Sequence, residues 1–320
     1  MTGTLLAPLA MAVGASRSLN ISTRRVSDAA GPHRTIALGV APRARNDFRL
    51  AVRVQRRAME QSRELETIQR QARGEVDVRY VGQVVKRAVP WHLRRNRPLR
   101  IGGSIGHIRV TAGTLGCFVR DRTAGATLIL SNNHVLADEN RAKPGDPIIQ
   151  PGDLDGGKAP SDRVGTLERF VRLKRSGANL VDCAVCTLDD KLRFSTRRFT
   201  GLGNLTGVGP EVLDERQEVA KIGRTTGITR GRVSAFEIDN LIVAFDVGDL
   251  RFDNQIEIES AGDQPFSDDG DSGSLIVTSD VQAIGLLFSG SDQGGPDGQG
   301  LTFANPLRPV LDALKVELLY

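Results

Sequence analysis

The chain has 320 residues, of which 39% are apolar and 25% charged, the balance of a globular protein with a sizeable core and room for two or three modest domains. No segment has the length of a membrane span, and three cysteines do not make a closed disulfide framework, so a spanning protein and a bridge-stapled secreted scaffold are both excluded. The net charge of +5 is uneven: residues 1–100 are rich in arginine, whereas 238–271 are acidic.

Residues 1–30 are small, polar and basic without steady periodicity and read as disordered. Within them LLAPLAMAVGA (5–15) resembles the apolar part of a signal peptide, but no Lys or Arg precedes it. Together with the scarce cysteines this favours a cytoplasmic protein, with secretion as the alternative. Residues 31–85 form a small α/β unit. RTIALGV (34–40) and FRLAVRV (48–54) read as strands, 57–72 as a helix with Met59, Leu65 and Ile68 on one stripe, and EVDVRYVG (75–82) as a half-buried strand. KRAVPWHLRRNRPLR and the residues after it, 86–102, read as a basic linker with two prolines.

From 103 to 320 short strand-like runs recur between glycine-rich turns: GCFVR, TLILSN, VDCAVCTL, EVAKIG, GRVSAFEI, LIVAFDV, NQIEIES, GSLIVT and AIGLLFSG. Few aromatics are present, so the core rests on Val, Ile, Leu and Ala. The spacing is that of an all-β sandwich or a pair of barrels. PLRPVLDALKVELL suits a closing helix and a last short strand.

Cys183 and Cys186 form a CxxC with no second pair to complete a zinc site, and in a strand they point to opposite faces, so they read as apolar fillers and no metal is expected. His134 stands just past a buried strand in TLILSNNHVLA, flanked by short polar residues, which suits proton transfer near neutral pH. His107 in GGSIGHIRV has no comparable downstream partners and reads as structural. Ser272 lies in DDGDSGSLIV. A serine hydroxyl attacks only when a base takes its proton and amides receive the oxyanion. The flanking glycines permit a tight turn that exposes the hydroxyl and lets the Gly270 and Ser272 N–H groups point to one spot. The carboxylate that would orient the imidazole is Asp182, at the head of VDCAVCTL, with Asp162 as a competitor.

The order is His134, Asp182, Ser272, with separations of 48 and 90 residues. With this order, AGTLGCFV, LILSNNHVLA, VDCAVCTL, KIGRTTGITRGRV, GDSGSLIV, AIGLLFSGS and TFANPLRPVLDAL make residues 103–320 resemble the chymotrypsin-like (trypsin-like) serine peptidases, particularly the bacterial branch with HtrA-type and α-lytic-type enzymes. The layout with its amino-terminal unit is also similar to a little-characterised bacterial and plant group of trypsin-like proteins.

The resemblance implies two six-stranded barrels, one at about 103–200 and one at about 211–320, with a C-terminal helix. It implies His134 as general base, Asp182 as its orienter, Ser272 as nucleophile and the Gly270 and Ser272 amides as oxyanion donors. Asp271 would be structural. It further implies Phe266 at the floor of the specificity pocket, with Phe288, Ser289 and Gly290 along its wall, and no cofactor.

The expected function is a serine endopeptidase acting by limited proteolysis on a protein or peptide substrate, with residues 31–85 as pro-segment, lid or docking surface for a regulatory partner. The alternatives are a weakly catalytic scaffold on the same fold and a basic amino-terminal segment that associates with nucleic acid; no aromatic-interleaved patch supports the latter.

Overall fold

The computed structural model describes residues 36–320 except 45–46, 83, 85–88, 215 and 296–297; the stretch read as disordered, 1–30, lies outside the described residues. The chain divides into two compact units, Met1–Ala88 and Val89–Tyr320. Among the described residues no helix is long and apolar enough to cross a membrane.

In the first unit β1 (Ile36–Ala44) pairs antiparallel with β2 (Asp47–Val54), and β2 pairs parallel with β3 (Val76–Tyr80). A parallel pair needs a crossover, supplied by the Arg63–Gln71 helix. Ile36, Val52, Val54 and Leu65 form its core, with Met59 and Ile68 packed on them. The helix expected from 57 begins at 63. Ser62 is extended at φ −85° and ψ 150°, and its hydroxyl accepts the Leu65 N–H at 3.2 Å, so it starts a new helix while Arg57–Gln61 forms a separate 3₁₀ turn.

The second unit opens with a strap where a linker was expected. Leu99 and Ile101 are fully buried, the Leu99 N–H bonds the Arg193 carbonyl at 2.8 Å, and the Asn96 N–H bonds Gln150 Oε1 at 2.9 Å. Two large apolar side chains among the arginines are enough to draw the segment onto the core.

The strands follow as β4 (Ser104–His107), β5 (Gly113–Thr114), β6 (Cys117–Asp121), β7 (Thr127–Ser131), β8 (Pro147–Ile149), β9 (Arg163–Phe170), β10 (Ala178–Asn179) and β11 (Ala184–Thr187). After the minor strands β12 (Arg198–Phe199), β13 (Gly203–Asn204) and β14 (Gly207–Val208) come β15 (Glu218–Gly223), β16 (Gly227–Ile238), β17 (Leu241–Phe245), β18 (Gly248–Phe252), β19 (Gln255–Ser260), β20 (Leu275–Thr278), β21 (Gln282–Gly290) and β22 (Thr302–Pro306). The Leu307–Leu314 helix and β23 (Val316–Leu318) close the chain.

The first large sheet runs β23-β6-β7-β11-β9-β8-β4-β5 and curls as a half-barrel; the second, through β15, β16, β19, β22, β21 and β20, closes on itself as a six-stranded barrel. The all-β double barrel and closing helix expected from the sequence are both present. The last strand, however, joins the first sheet beside β6, carrying Val316 and Leu318 into its core. A third sheet, β10-β18-β17, stands apart.

Candidate active site

His134 lies in the single helical turn Asn133–Leu136 that follows β7. Asp182, fully buried just before β11, holds that turn: its Oδ1 accepts the N–H of Asn133 at 2.7 Å and of His134 at 3.3 Å, and its Oδ2 bonds His134 Nδ1. Asn132 Nδ2 donates to the Asp182 carbonyl at 2.7 Å. The carboxylate therefore caps the turn and orients the ring with the same two oxygens. Burial opposes charge on the imidazole, but the Asp182 carboxylate overrides it, so the His134 pKa stands above its ordinary value.

Asp162, the competitor, is far from this constellation in its bonding: it accepts Arg95 Nε at 2.9 Å and the Lys158 N–H at 3.0 Å. Behind Asp182, its N–H donates to Asn305 Oδ1 at 2.9 Å, and Asn305 Nδ2 donates to Gln255 Oε1 at 2.6 Å. All three side chains are buried. Sequence reasoning passed over Asn305, although it lies in the quoted TFANPLRP stretch; only β22 meeting β19 and β21 brings it to Asp182.

His134 and Ser272 line one cleft of about 510 Å³, and no hydrogen bond joins them in this structure. The Ser272 carbonyl accepts the Thr114 N–H at 2.8 Å, and Thr114 Oγ1 donates to the Gly270 carbonyl at 3.0 Å, so the first sheet grips the serine loop directly. Gly273, at φ +92°, is required there: a Cβ would stand 2.2 Å from Ser131 Oγ and 2.4 Å from the Thr114 carbonyl. The N–H groups of Asp271, Gly273 and Ser274 bond Asp268, Leu287 and Asp271 carbonyls, whereas those of Gly270 and Ser272 take no acceptor among the described residues.

Asp271 is wholly buried. Its carboxylate receives Lys221 Nζ at 3.0 Å, Thr226 Oγ1 at 2.7 Å and the N–H groups of Thr225 at 2.8 Å and Asp268 at 3.1 Å. The serine loop is thus anchored from inside the second barrel, through a lysine that sequence reasoning did not single out. A charged residue in the apolar run EVAKIG was the available signal.

Of the specificity residues, Phe288, Ser289 and Gly290 line the cleft; Phe266 does not. Its ring is buried in the second barrel with Ile258 and Ile276, where its apolar surface leaves water, and the Thr229 hydroxyl donates to its carbonyl at 2.7 Å. Asp268 and Asp269 stand on the cleft, as do Glu139 and Asp292. Phe245, which no sequence signal marks, sets its ring edge-on to His134, at 5.9 Å between centroids. Among the described residues no cluster of His, Cys, Asp or Glu could hold a metal ion. Cys117, Cys183 and Cys186 are free thiols in the core, their pKa values driven up by burial.

The fold is all-β, with one closed six-stranded barrel, one curled half-barrel sheet and a closing helix, consistent with a chymotrypsin-like double barrel. No family model and no curated protein matches the chain. Solved structures similar to it include Thermobifida fusca Protease A, at 18% identity and TM-score 0.47 over 69% of this chain and 99% of that one. A glutamic acid-specific serine protease with a histidine triad in substrate binding is similar at 19% identity and TM-score 0.49, over 69% of this chain and all of that one. An alpha-lytic protease homolog, N4, is similar at 22% identity and TM-score 0.47, over 69% and 99% of the two chains.

Proposed function

We propose that this chain is a serine endopeptidase acting by limited proteolysis on a specific protein substrate. The observation that carries the reading is the buried Asp182 carboxylate bound to His134 Nδ1 on the wall of the cleft that also holds Ser272. With Nδ1–H donated to Asp182, the Nε2 lone pair is left for the serine proton. Ser272 Oγ attacks the scissile carbonyl while His134 takes its proton, and the resulting imidazolium is stabilised by Asp182. His134 then returns the proton to the leaving amine, and water repeats the sequence on the acyl-enzyme. The Gly270 and Ser272 amides, which take no acceptor among the described residues, are the donors for the oxyanion; one such donor is worth about 10²–10³ in rate.

Three buried free thiols suit a reducing compartment, and we place the protein in the cytoplasm. The amino-terminal unit, with its own core, is the docking surface for a regulatory partner.

The reading is tested with a fluorophosphonate on the full chain. Stoichiometric labelling that disappears in Ser272→Ala supports it. Labelling that persists in Ser272→Ala overturns the assignment, and an unlabelled wild-type chain would make this a binding scaffold.

A further inference from the structure

The third sheet ends at β17, so one edge of Leu241–Phe245 has no strand beside it among the described residues. A two-residue turn joins β17 to β18 and pairs Phe245 with Gly248, Val243 with Leu250 and Leu241 with Phe252. In such a hairpin the residues flanking the turn exchange both main-chain bonds, and bonding then alternates along the strand. Leu241, Val243 and Phe245 therefore bond toward β18, while the N–H and C=O groups of Ile242 and Ala244 point outward. The partner strand agrees with this register. The carbonyl of Arg251, opposite Ile242, turns away from β17 to accept Asn179 Nδ2 at 3.1 Å.

That outward edge borders the candidate active site. The cleft touches Leu241, Ile242, Val243, Ala244 and Phe245 in unbroken succession. Successive side chains point to opposite faces of a strand, so a cavity that meets five in a row meets the strand's rim. Across it, Leu287 to Ser291 also line the cleft in succession. There β20 has parted from β21 after the Leu275–Leu286 pair, and Ser289 and Gly290 pair only with β22. Two strand edges, each bonded on one side, thus face the cavity that holds His134 and Ser272.

The hairpin is pinned in this position. Glu139 Oε1 and Oε2 accept the N–H groups of Asp246 at 3.1 Å and Val247 at 2.9 Å, and Arg141 pairs with Asp246 at 3.1 Å. Glu139 reaches the turn from three consecutive left-handed residues, Asp138, Glu139 and Asn140, at φ 49°, 51° and 72°. Such strain persists only where surrounding bonds over-determine it. Leu241, Val243 and Phe245 meanwhile pack on Phe252 and Phe288.

We propose that the substrate enters this cleft as an extended strand bonded on both sides, with the outward peptide groups of Ile242 and Ala244 forming the second edge opposite Phe288–Gly290. The inference rests on the peptidase reading and names its substrate class: unfolded or extended segments with free N–H groups on both sides, selected by main chain more than by side chain. Bonding on alternate sides makes alternate substrate residues address β17. Segments with proline or N-methylation at those residues are excluded.

Ala244→Pro in the full chain removes an outward N–H and keeps the Val243 and Phe245 bonds to β18, and an edge strand accepts proline at such a position. Two readouts separate the ideas: labelling of Ser272 by a small fluorophosphonate, and cleavage of reduced, alkylated, dye-labelled casein. The expected result is labelling within about twofold of wild type and kcat/KM on casein at least tenfold lower, carried by KM, with Ala244→Thr restoring cleavage. Casein cleavage at the wild-type rate by Ala244→Pro overturns the proposal, whereas an unlabelled wild-type Ser272 overturns the peptidase reading instead. If labelling also falls in the proline variant, the wild-type enzyme decides with a casein-derived peptide N-methylated one residue at a time. Rises in KM at alternate residues on both sides support the second edge, and a rise only at residues that bond Phe288–Gly290 removes it.

Discussion

Lys221 Nζ lies 3.0 Å from the Asp271 carboxylate with both side chains wholly buried, and this pair ties the serine loop to the strand that opens the second barrel. Burial pushes the Lys221 pKa down, and Asp271 pulls against that shift. Asp271 also takes main-chain N–H groups from Thr225 and Asp268, so one carboxylate fixes both the turn after β15 and the loop that carries Ser272.

Removing one member of the pair leaves the other charge buried alone. Lys221→Met is expected to cost about 3–5 kcal/mol in urea unfolding, and the double variant Lys221→Met with Asp271→Asn to recover part of it. Fluorophosphonate labelling of Ser272 should slow in the single variant, because the loop loses its anchor. Unchanged unfolding midpoints in Lys221→Met would show that the pair does not stabilise the loop.

The raised His134 pKa has a defined sign. Its folded value lies above the ordinary 6.5, so the stability it contributes is fully present below that value and fades as pH rises through the folded one. Activity runs the other way, since the base must be neutral. The acid limb of kcat/KM should fall above the ordinary histidine range. In Asp182→Asn that limb should move to lower pH while kcat drops about 10⁴-fold, as loss of the correct tautomer does in such triads. A pH–rate profile unchanged by Asp182→Asn would remove Asp182 from the mechanism.

Gly273→Ala places a methyl against Ser131 Oγ and the Thr114 carbonyl in a left-handed residue. The expected loss is about 2–5 kcal/mol, from left-handed strain together with overpacking. Gly262→Ala, where an added Cβ meets open space, should be close to neutral in the same thermal melts.

Leu99→Ala and Ile101→Ala should each destabilise the chain by about 2–5 kcal/mol, the cost of a cavity in a core. A true linker would tolerate both without a change in Tm.

Much of the site was legible in the sequence because its signals are local. The alternation and length of runs such as TLILSN and GSLIVT depend on neighbouring residues alone, and β7 and β20 form there. GDSG and SNNH likewise mark a tight turn and a strand end by composition. The helix boundary at Ser62 is also a local signal, a capping hydroxyl three residues before the Leu65 N–H it accepts.

What the sequence by itself determined is therefore about half of the strands in 103–320, the all-β class with its closing helix, and His134 and Ser272 as the chemically apt pair. The tertiary structure decided the rest. It set Asp182 and not Asp162 against the ring, brought Asn305 behind it, put Lys221 under Asp271, withdrew Phe266 from the cleft and Leu99 from solvent, and stood the β17 edge opposite Phe288–Gly290. Each of these pairs residues far apart in the chain, and each exists only because burying the apolar faces of two sheets repays the cost of bringing them together. A residue's neighbours along the chain carry no record of that balance.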